Sequence, residues 1–290
     1  MILISQLVNA LQLGSIYALV ALGYSMVYGI IKLLNFAHGD VIMVGGYVVL
    51  FALAAGLPPA VSFALVILGC TAIAVLMEKL AYKPLRSAPR ISLLITAIGI
   101  SILLQNLARL FFASRPRPLQ IPFPSGSISF GEITLAYPML ITIAVSLLSM
   151  AILNFIVQST KLGKAMRAVS EDNEAAQLMG INVNNIITFT FAVGSALAGV
   201  GAILFFVRFP VVSPHAGALL GLKAFIAAVF GGIGSIPGAM LGGFAIGLLE
   251  VLITAIGLSR WTDGAVYLVL IVILLVRPSG LVGKPMIEKV

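Results

Sequence analysis

The residues able to do chemistry are few, and most stand inside apolar sequence. Lys223 and Glu250 are isolated charges in apolar runs. Asn35-Phe36-Ala37-His38-Gly39-Asp40 sets an amide, an imidazole and a carboxylate between two such runs. The stretch Lys161–Ile181 gathers charges of both signs around small apolar residues. None of these is an enzyme constellation. The chain has no GxxxxGK[ST] to cradle nucleotide phosphates and no GxSxG nucleophile turn. Its only histidines, His38 and His215, are too far apart for HExxH, and one cysteine, Cys70, cannot build a zinc cluster. No catalytic residue, metal or cofactor is expected.

The elements that must position these groups follow from composition. Of 290 residues, 61% are hydrophobic and 9% charged. A soluble domain of this size could not bury so much apolar surface, and disorder is excluded by the same figures. The runs are apolar throughout, not alternating, so a membrane barrel is excluded as well. The expected fold is all-α, a polytopic transmembrane bundle of eight to nine segments forming a single domain over 1–290. Nine apolar segments are read: 7–31, 41–57, 60–77, 91–113, 137–158, 185–207, 216–231, 238–257 and 259–276. The segment 216–231 carries Lys223, is bounded by glycines and either spans or re-enters, the latter tolerated only where protein or a cavity surrounds it. The first basic residue is Lys32, so the first run lacks the positive start of a signal peptide and is expected to stay in the mature protein.

The net charge of +8 reads as anchoring of cytoplasmic loops, not as nucleic-acid binding, because Lys and Arg accumulate on the inner side of membrane proteins. Placing 78–90, 159–184 and 277–290 inside puts eleven basic residues in and five out, with Lys223 in the membrane. The N-terminus is then outside and the C-terminus cytoplasmic. The outer connection 114–136, with Pro116, Pro118, Pro122 and Pro124, is expected to be extended and irregular.

Within that frame each polar group carries two readings. Charge at membrane depth is costly and faces a cavity or a partner, so Lys223 and Glu250 either pair with each other or meet a zwitterionic solute. Asn35, His38 and Asp40 form either a polar turn near the inner surface, beside Lys32, or a broken-helix element lining a translocation path, with Gly39 permitting the bend. In the inner loop 159–184, Ser170 is expected to cap a short helix whose first turn holds Glu171, Asp172 and Glu174. Gly180 falls where a left-handed terminating residue is wanted. Ala175, Leu178 and Met179 share one face, and the acidic residues disfavour an anionic membrane surface, so this helix is read as docking to a cytoplasmic protein. Gly217/Gly221, Gly238/Gly242 and Gly243/Gly247 have the spacing that lets helices approach closely. Gly231, Gly232, Gly234, Pro237 and Gly238 lie in a connection where helical hydrogen bonding must stop, read as a structural hinge.

Glu174-Ala175-Ala176 followed by Gly180 resembles the EAA loop of ABC importer permeases. Asn35–Asp40, Arg167-Ala168-Val169, Gly231–Gly238 and Arg277-Pro278-Ser279-Gly280-Leu281 resemble, in order, the permeases of branched-chain amino-acid ABC importers, closest to the shorter of their two permease paralogues. The resemblance runs from about residue 7 to about 283. It implies a non-enzymatic transport subunit of a bacterial-type inner membrane, driven by separate ATP-binding subunits at the cytoplasmic face. A second related permease, an extracytoplasmic substrate-binding protein and membrane lipid are the other implied partners. Arg167, Glu174, Ala175, Ala176 and Gly180 would couple to the ATPase, while Asn35, His38, Asp40, Lys223 and Glu250 are the candidate path residues. A urea or short-amide permease of the same family is the nearest alternative. A stand-alone secondary transporter is another, but it has no need of an EAA-type helix.

Overall fold

The structure is a computed structural model that describes residues 2–130 and 133–283. Lys284 and Lys289, counted in the inner tail, lie outside the described residues. Among the described residues seven helices are long and apolar enough to cross a membrane. They lie within or include α1 (Ile2–Ile31), α3 (Pro59–Met77, continued by a π-helical turn at Glu78–Tyr82 and a 3-10 turn at Lys83–Leu85), α4 (Arg90–Phe112), α5 (Tyr137–Ser159), α8 (Val183–Arg208), α10 (Ile236–Ala255) and α11 (Thr262–Val276, entered by a 3-10 turn from Ser259). Two apolar helices are shorter, α2 (His38–Ala54) and α9 (Ala216–Gly231). The loop between α5 and α8 holds α6 (Lys161–Glu171) and α7 (Asn173–Leu178).

Helix α1 is the axis of the bundle. It is buried over most of its length and makes its most extensive contact with α10. Small residues make this possible: a side chain on Gly14 would stand 2.8 Å from the Phe244 Cα, and Gly243 faces Ala18. Without water between spans, helices associate through such close backbone packing. By contrast α3, α4, α5 and α11 turn large apolar residues outward, among them Leu68, Leu110, Leu148 and Leu275. In a soluble protein such exposed apolar faces would be aggregation sites.

The connection 114–136 departs from the expected irregular strand of chain. β1 (Arg117–Pro118) pairs antiparallel with β4 (Val211–Val212), which follows α8, and β2 (Ser127–Phe130) pairs antiparallel with β3 (Ile133–Ala136). The prolines do not prevent this, since pairing occurs on short edges where a missing N–H is tolerated.

Candidate functional site

Helix α1 stops abruptly. Lys32 adopts a left-handed conformation, φ 55°, and its Nζ reaches back to the Gly29 carbonyl at 3.1 Å. Residues 32–35 belong to neither helix nor strand, and a turn leads into α2 at His38. The His38 ring packs edge-on against Tyr24, 4.7 Å between centroids, so the start of α2 sits beside the interior of α1 and not beside its end. Helix α9 begins at the same place from the other side: a Cβ on Gly39 would lie 2.5 Å from the Gly217 carbonyl oxygen and 2.8 Å from the Gly221 Cα. The two short helices thus meet N-terminus to N-terminus at a glycine crossing.

The polar groups of this crossing are buried. Asn35, His38 and Asp40 are almost wholly enclosed. The Tyr82 hydroxyl donates to Asn35 Oδ1 at 2.7 Å, tying the segment between α1 and α2 to the end of α3. Gln105 of α4 donates through Nε2 to Asp40 Oδ1 at 3.0 Å. Its Oε1 must therefore accept, which makes His215 Nδ1 the donor at 3.1 Å and leaves His215 Nε2 to accept from Arg109. One directional chain, Arg109 to His215 to Gln105 to Asp40, leads from an exposed cation to an enclosed carboxylate. Sequence reasoning named Asp40 but missed Gln105 and treated His215 only as a distant second histidine. The usable signal was an amide in the middle of the run 91–113.

Lys223 and Glu250 are brought together. Lys223 Nζ lies 2.8 Å from Glu250 Oε1 and also 2.7 Å from Asp263 Oδ1. The other Glu250 oxygen accepts from the Tyr17 hydroxyl at 2.9 Å. Three helices, α9, α10 and α11, are thereby joined to α1. Neither Asp263 nor Tyr17 was foreseen, since one stands at a helix start and the other passes for an ordinary aromatic.

The inner loop differs from its expected layout. It is two helices with a break at Asp172, φ −155°. Thr160 caps α6, accepting from the Gly163 N–H at 3.0 Å, and Arg167 donates to the Val157 carbonyl, so α6 is docked on α5. The cap of α7 is Asp172, not Ser170: its Oδ1 accepts from the Glu174 and Ala175 N–H groups at 2.9 and 3.0 Å. Ser170 instead donates to the Arg167 carbonyl, and Glu171 ends α6. An aspartate wins because the chain turns extended at that residue, which is what a capping position requires. Gly180 has φ +81° and Ile181 N–H returns to the Ala176 carbonyl at 3.0 Å, the left-handed termination expected there. Leu178 is 89% exposed and Met179 82%, while Ala176 is 4% exposed. Ala176 therefore packs within its own chain and Glu174 and Ala175 face outward beside Leu178.

The glycine-rich connection Gly231–Gly238 is a tight crossover. Gly232 (φ 113°) and Gly234 (φ 89°) take conformations closed to other residues, and Ser235 caps α10 by accepting from Gly238 N–H at 3.2 Å, with Pro237 in the first turn. The segment Arg277–Leu281 docks on it: Leu281 N–H donates to the Phe230 carbonyl and Val282 N–H to that of Gly231, each at 2.9 Å. Two motifs far apart in sequence are one structural unit.

These features define a polytopic helical membrane protein with a short exposed helix, α7, on the loop between α5 and α8. The chain also matches, over residues 6–275, the family described as the permease component of branched-chain amino acid transport systems, and it belongs to that family. It is 42% identical to the high-affinity branched-chain amino acid transport system permease protein BraD of Pseudomonas aeruginosa, covering 99% of this chain and 98% of the relative. It is 40% identical to LivH of Escherichia coli K12, a permease of the same description, covering 99% and 97%. The ribose import permease protein RbsC of Haemophilus influenzae is more distant, 25% identical over 89% of this chain and 80% of the relative. No solved structure matches the chain.

Proposed function

We propose that the chain carries branched-chain amino acids inward across the membrane, working with separate ATP-binding subunits, a binding protein on the outer side and a second related permease. The observation that carries this reading is α7: a short capped helix turning Leu178 and Met179 to solvent while its own chain holds it firmly from below through Ala176, Asp172 and Gly180. Such a helix suits docking in a cleft of an ATPase, and Arg167, bound to α5, would pass the motion of α6 and α7 into the spans. Glu174 and Ala175 would touch the ATPase, with Ala176 and Gly180 shaping the helix that does so.

In this reading α1, α3, α4, α5, α8, α10 and α11 span, and α2 and α9 are the halves of a broken element, which brings the membrane segments to nine. The helix break at 32–35 and the glycine crossing support a path past Asn35, His38 and Asp40. Gln105, His215 and Arg109 extend that path to an exposed face of α4, where polar groups would be costly against lipid. The second permease would cover this face, and lipid the outer apolar faces of α3, α5 and α11. Lys223 and Glu250, paired and joined to Asp263, hold helices together. The Gly231–Gly238 crossover serves as a hinge. The end bearing α6 and α7 faces the cytoplasm, which puts the N-terminus outside and the C-terminus in.

The test is reconstitution of the chain with its ATPase, second permease and binding protein in liposomes. Leucine uptake that requires ATP and the binding protein is expected, and a cysteine at Leu178 should cross-link to the ATPase. Uptake of urea or short amides in preference to leucine, or uptake by this chain alone, would overturn the reading.

A further inference from the structure

At the end of the bundle carrying α7 lies a cavity of about 250 Å³, partly open to solvent. Its walls have two characters. Leu33, Leu93 and Ile187 form a buried aliphatic side. Arg86, Gln177 and Asn184 form a polar side, completed by Asn173. Asn173 and Gln177 belong to α7, so the exposed docking helix is one wall of the cavity.

The electrostatics restrict what could sit there. Arg86 is ion-paired with Glu78, whose side chain is wholly buried, and Glu78 also accepts from the Thr188 hydroxyl at 2.8 Å. Arg86 further donates to Asn184 Oδ1. Two of its five N–H groups are thus in use and the Nε–H is enclosed, which leaves one N–H on each terminal nitrogen. The Arg86–Glu78 pair is neutral as a unit, so the polar wall has no net charge with which to hold a simple anion or cation. It has N–H donors on Arg86 and Asn184 and amide acceptors on Asn173 and Gln177. A small molecule carrying both charges satisfies both sets and keeps the site neutral. Its apolar part would face Leu33, Leu93 and Ile187. At ~30 Å³ per water, the volume is room for about eight waters, close to the nine non-hydrogen atoms of leucine.

We propose that this cavity binds a free aliphatic α-amino acid, with its carboxylate on Arg86 and Asn184, its ammonium on Asn173 and Gln177, and its side chain on the aliphatic wall. The inference rests on the transport reading above and on this end facing the cytoplasm. It deepens that reading by adding a second amino-acid site on the product side. A ligand there bridges α7, through Asn173 and Gln177, to Arg86 and Asn184. Accumulated product would then restrain the helix that transmits ATP hydrolysis.

The test uses the complete complex in nanodiscs, without the binding protein, and equilibrium dialysis with radiolabelled leucine. Saturable binding is expected, with 4-methylpentanoate, lacking the ammonium, and isoamylamine, lacking the carboxylate, each binding at least 10-fold more weakly. Leu93→Trp fills the aliphatic wall and should weaken leucine binding at least 10-fold; Leu93→Phe should do so less and covers the case in which the larger side chain prevents assembly. In proteoliposomes, leucine on the α7 side should slow ATP hydrolysis by the unaltered complex, with the concentration needed for half the effect rising at least 10-fold in the Leu93 variants. Absence of saturable binding, or binding unchanged by both Leu93 variants, overturns the site. If that occurs while ATP-driven leucine uptake is normal, only this inference falls; loss of leucine uptake in the unaltered complex instead overturns the transport reading.

Discussion

Lys223→Met is the most informative change to the ion cluster, because the cluster's three charges are unequally buried. The Lys223 side chain is 15% exposed, Glu250 8% and Asp263 53%. Removing the ammonium leaves Glu250 with only the Tyr17 hydroxyl among its described partners. Breaking a buried pair from one side costs about 3–5 kcal/mol, since the surviving charge stays desolvated. Asp263 regains water and adds about 0–1 kcal/mol. Glu250→Gln is milder: Lys223 keeps Asp263 at 2.7 Å, and the loss should be about 1.5–3 kcal/mol, that of a charged hydrogen bond. Combining the two changes removes the stranded carboxylate, so the pair should cost less than Lys223→Met alone. The assay is thermal unfolding of the purified complex in nanodiscs, read beside leucine uptake per assembled complex. A structural clamp predicts that uptake falls only as assembly falls. The reasoning is refuted if Glu250→Gln destabilises as much as Lys223→Met, or if the two changes add within about 0.5 kcal/mol. Normal stability with abolished uptake would instead return Lys223 to the path.

Three further outcomes are expected. Gly39→Ala should separate α2 from α9, because its Cβ would meet backbone of Gly217 and Gly221 that cannot rotate away; a loss at or above the ~1–3 kcal/mol of an overpacked core should appear as a lowered unfolding temperature and lost uptake, whereas Gly264→Ala, with nothing within 4 Å, serves as the silent control. Gly180→Val has open space around it but φ +81°, so strain of about 1–2 kcal/mol should fray α7 and lower binding-protein-stimulated ATP hydrolysis, with Gly180→Asn intermediate; Asp172→Ala should act alike through loss of a cap worth ~0.5–2 kcal/mol, and normal stimulation in both would remove α7 from coupling. Single cysteines at Lys164 and Arg115, in a Cys70→Ser background, should react with an impermeant thiol reagent on intact cells only at position 115, and labelling at 164 would reverse the orientation.

The membrane class was legible without coordinates because it depends on totals: apolar content and run length act through solvent transfer, which adds along the chain whatever the packing. Among the described residues each apolar segment falls on a helix to within a few residues, though only seven of those helices are long and apolar enough to cross a membrane. Gly180 was readable because a left-handed helix end is a local backbone demand, and the close-packing role of Gly217/Gly221 because a missing Cβ is the same in any context. Local reasoning failed where a neighbour decided the matter. The end of α1 at Ile31 was legible, but the left-handed turn at Lys32 was not, since lysine has no intrinsic preference for φ 55°. Ser170 and Asp172 are both good caps by type; which one serves depended on where the chain turned extended. Ala176 looked like a contact for a partner and is buried in its own chain, since which side of a six-residue helix faces inward is set by what it rests on. Above all, Asp40 found Gln105 and Lys223 found Asp263 across sequence separations of 65 and 40 residues. A buried charge requires a partner, which sequence alone already establishes; only the folded arrangement of helices selects which one.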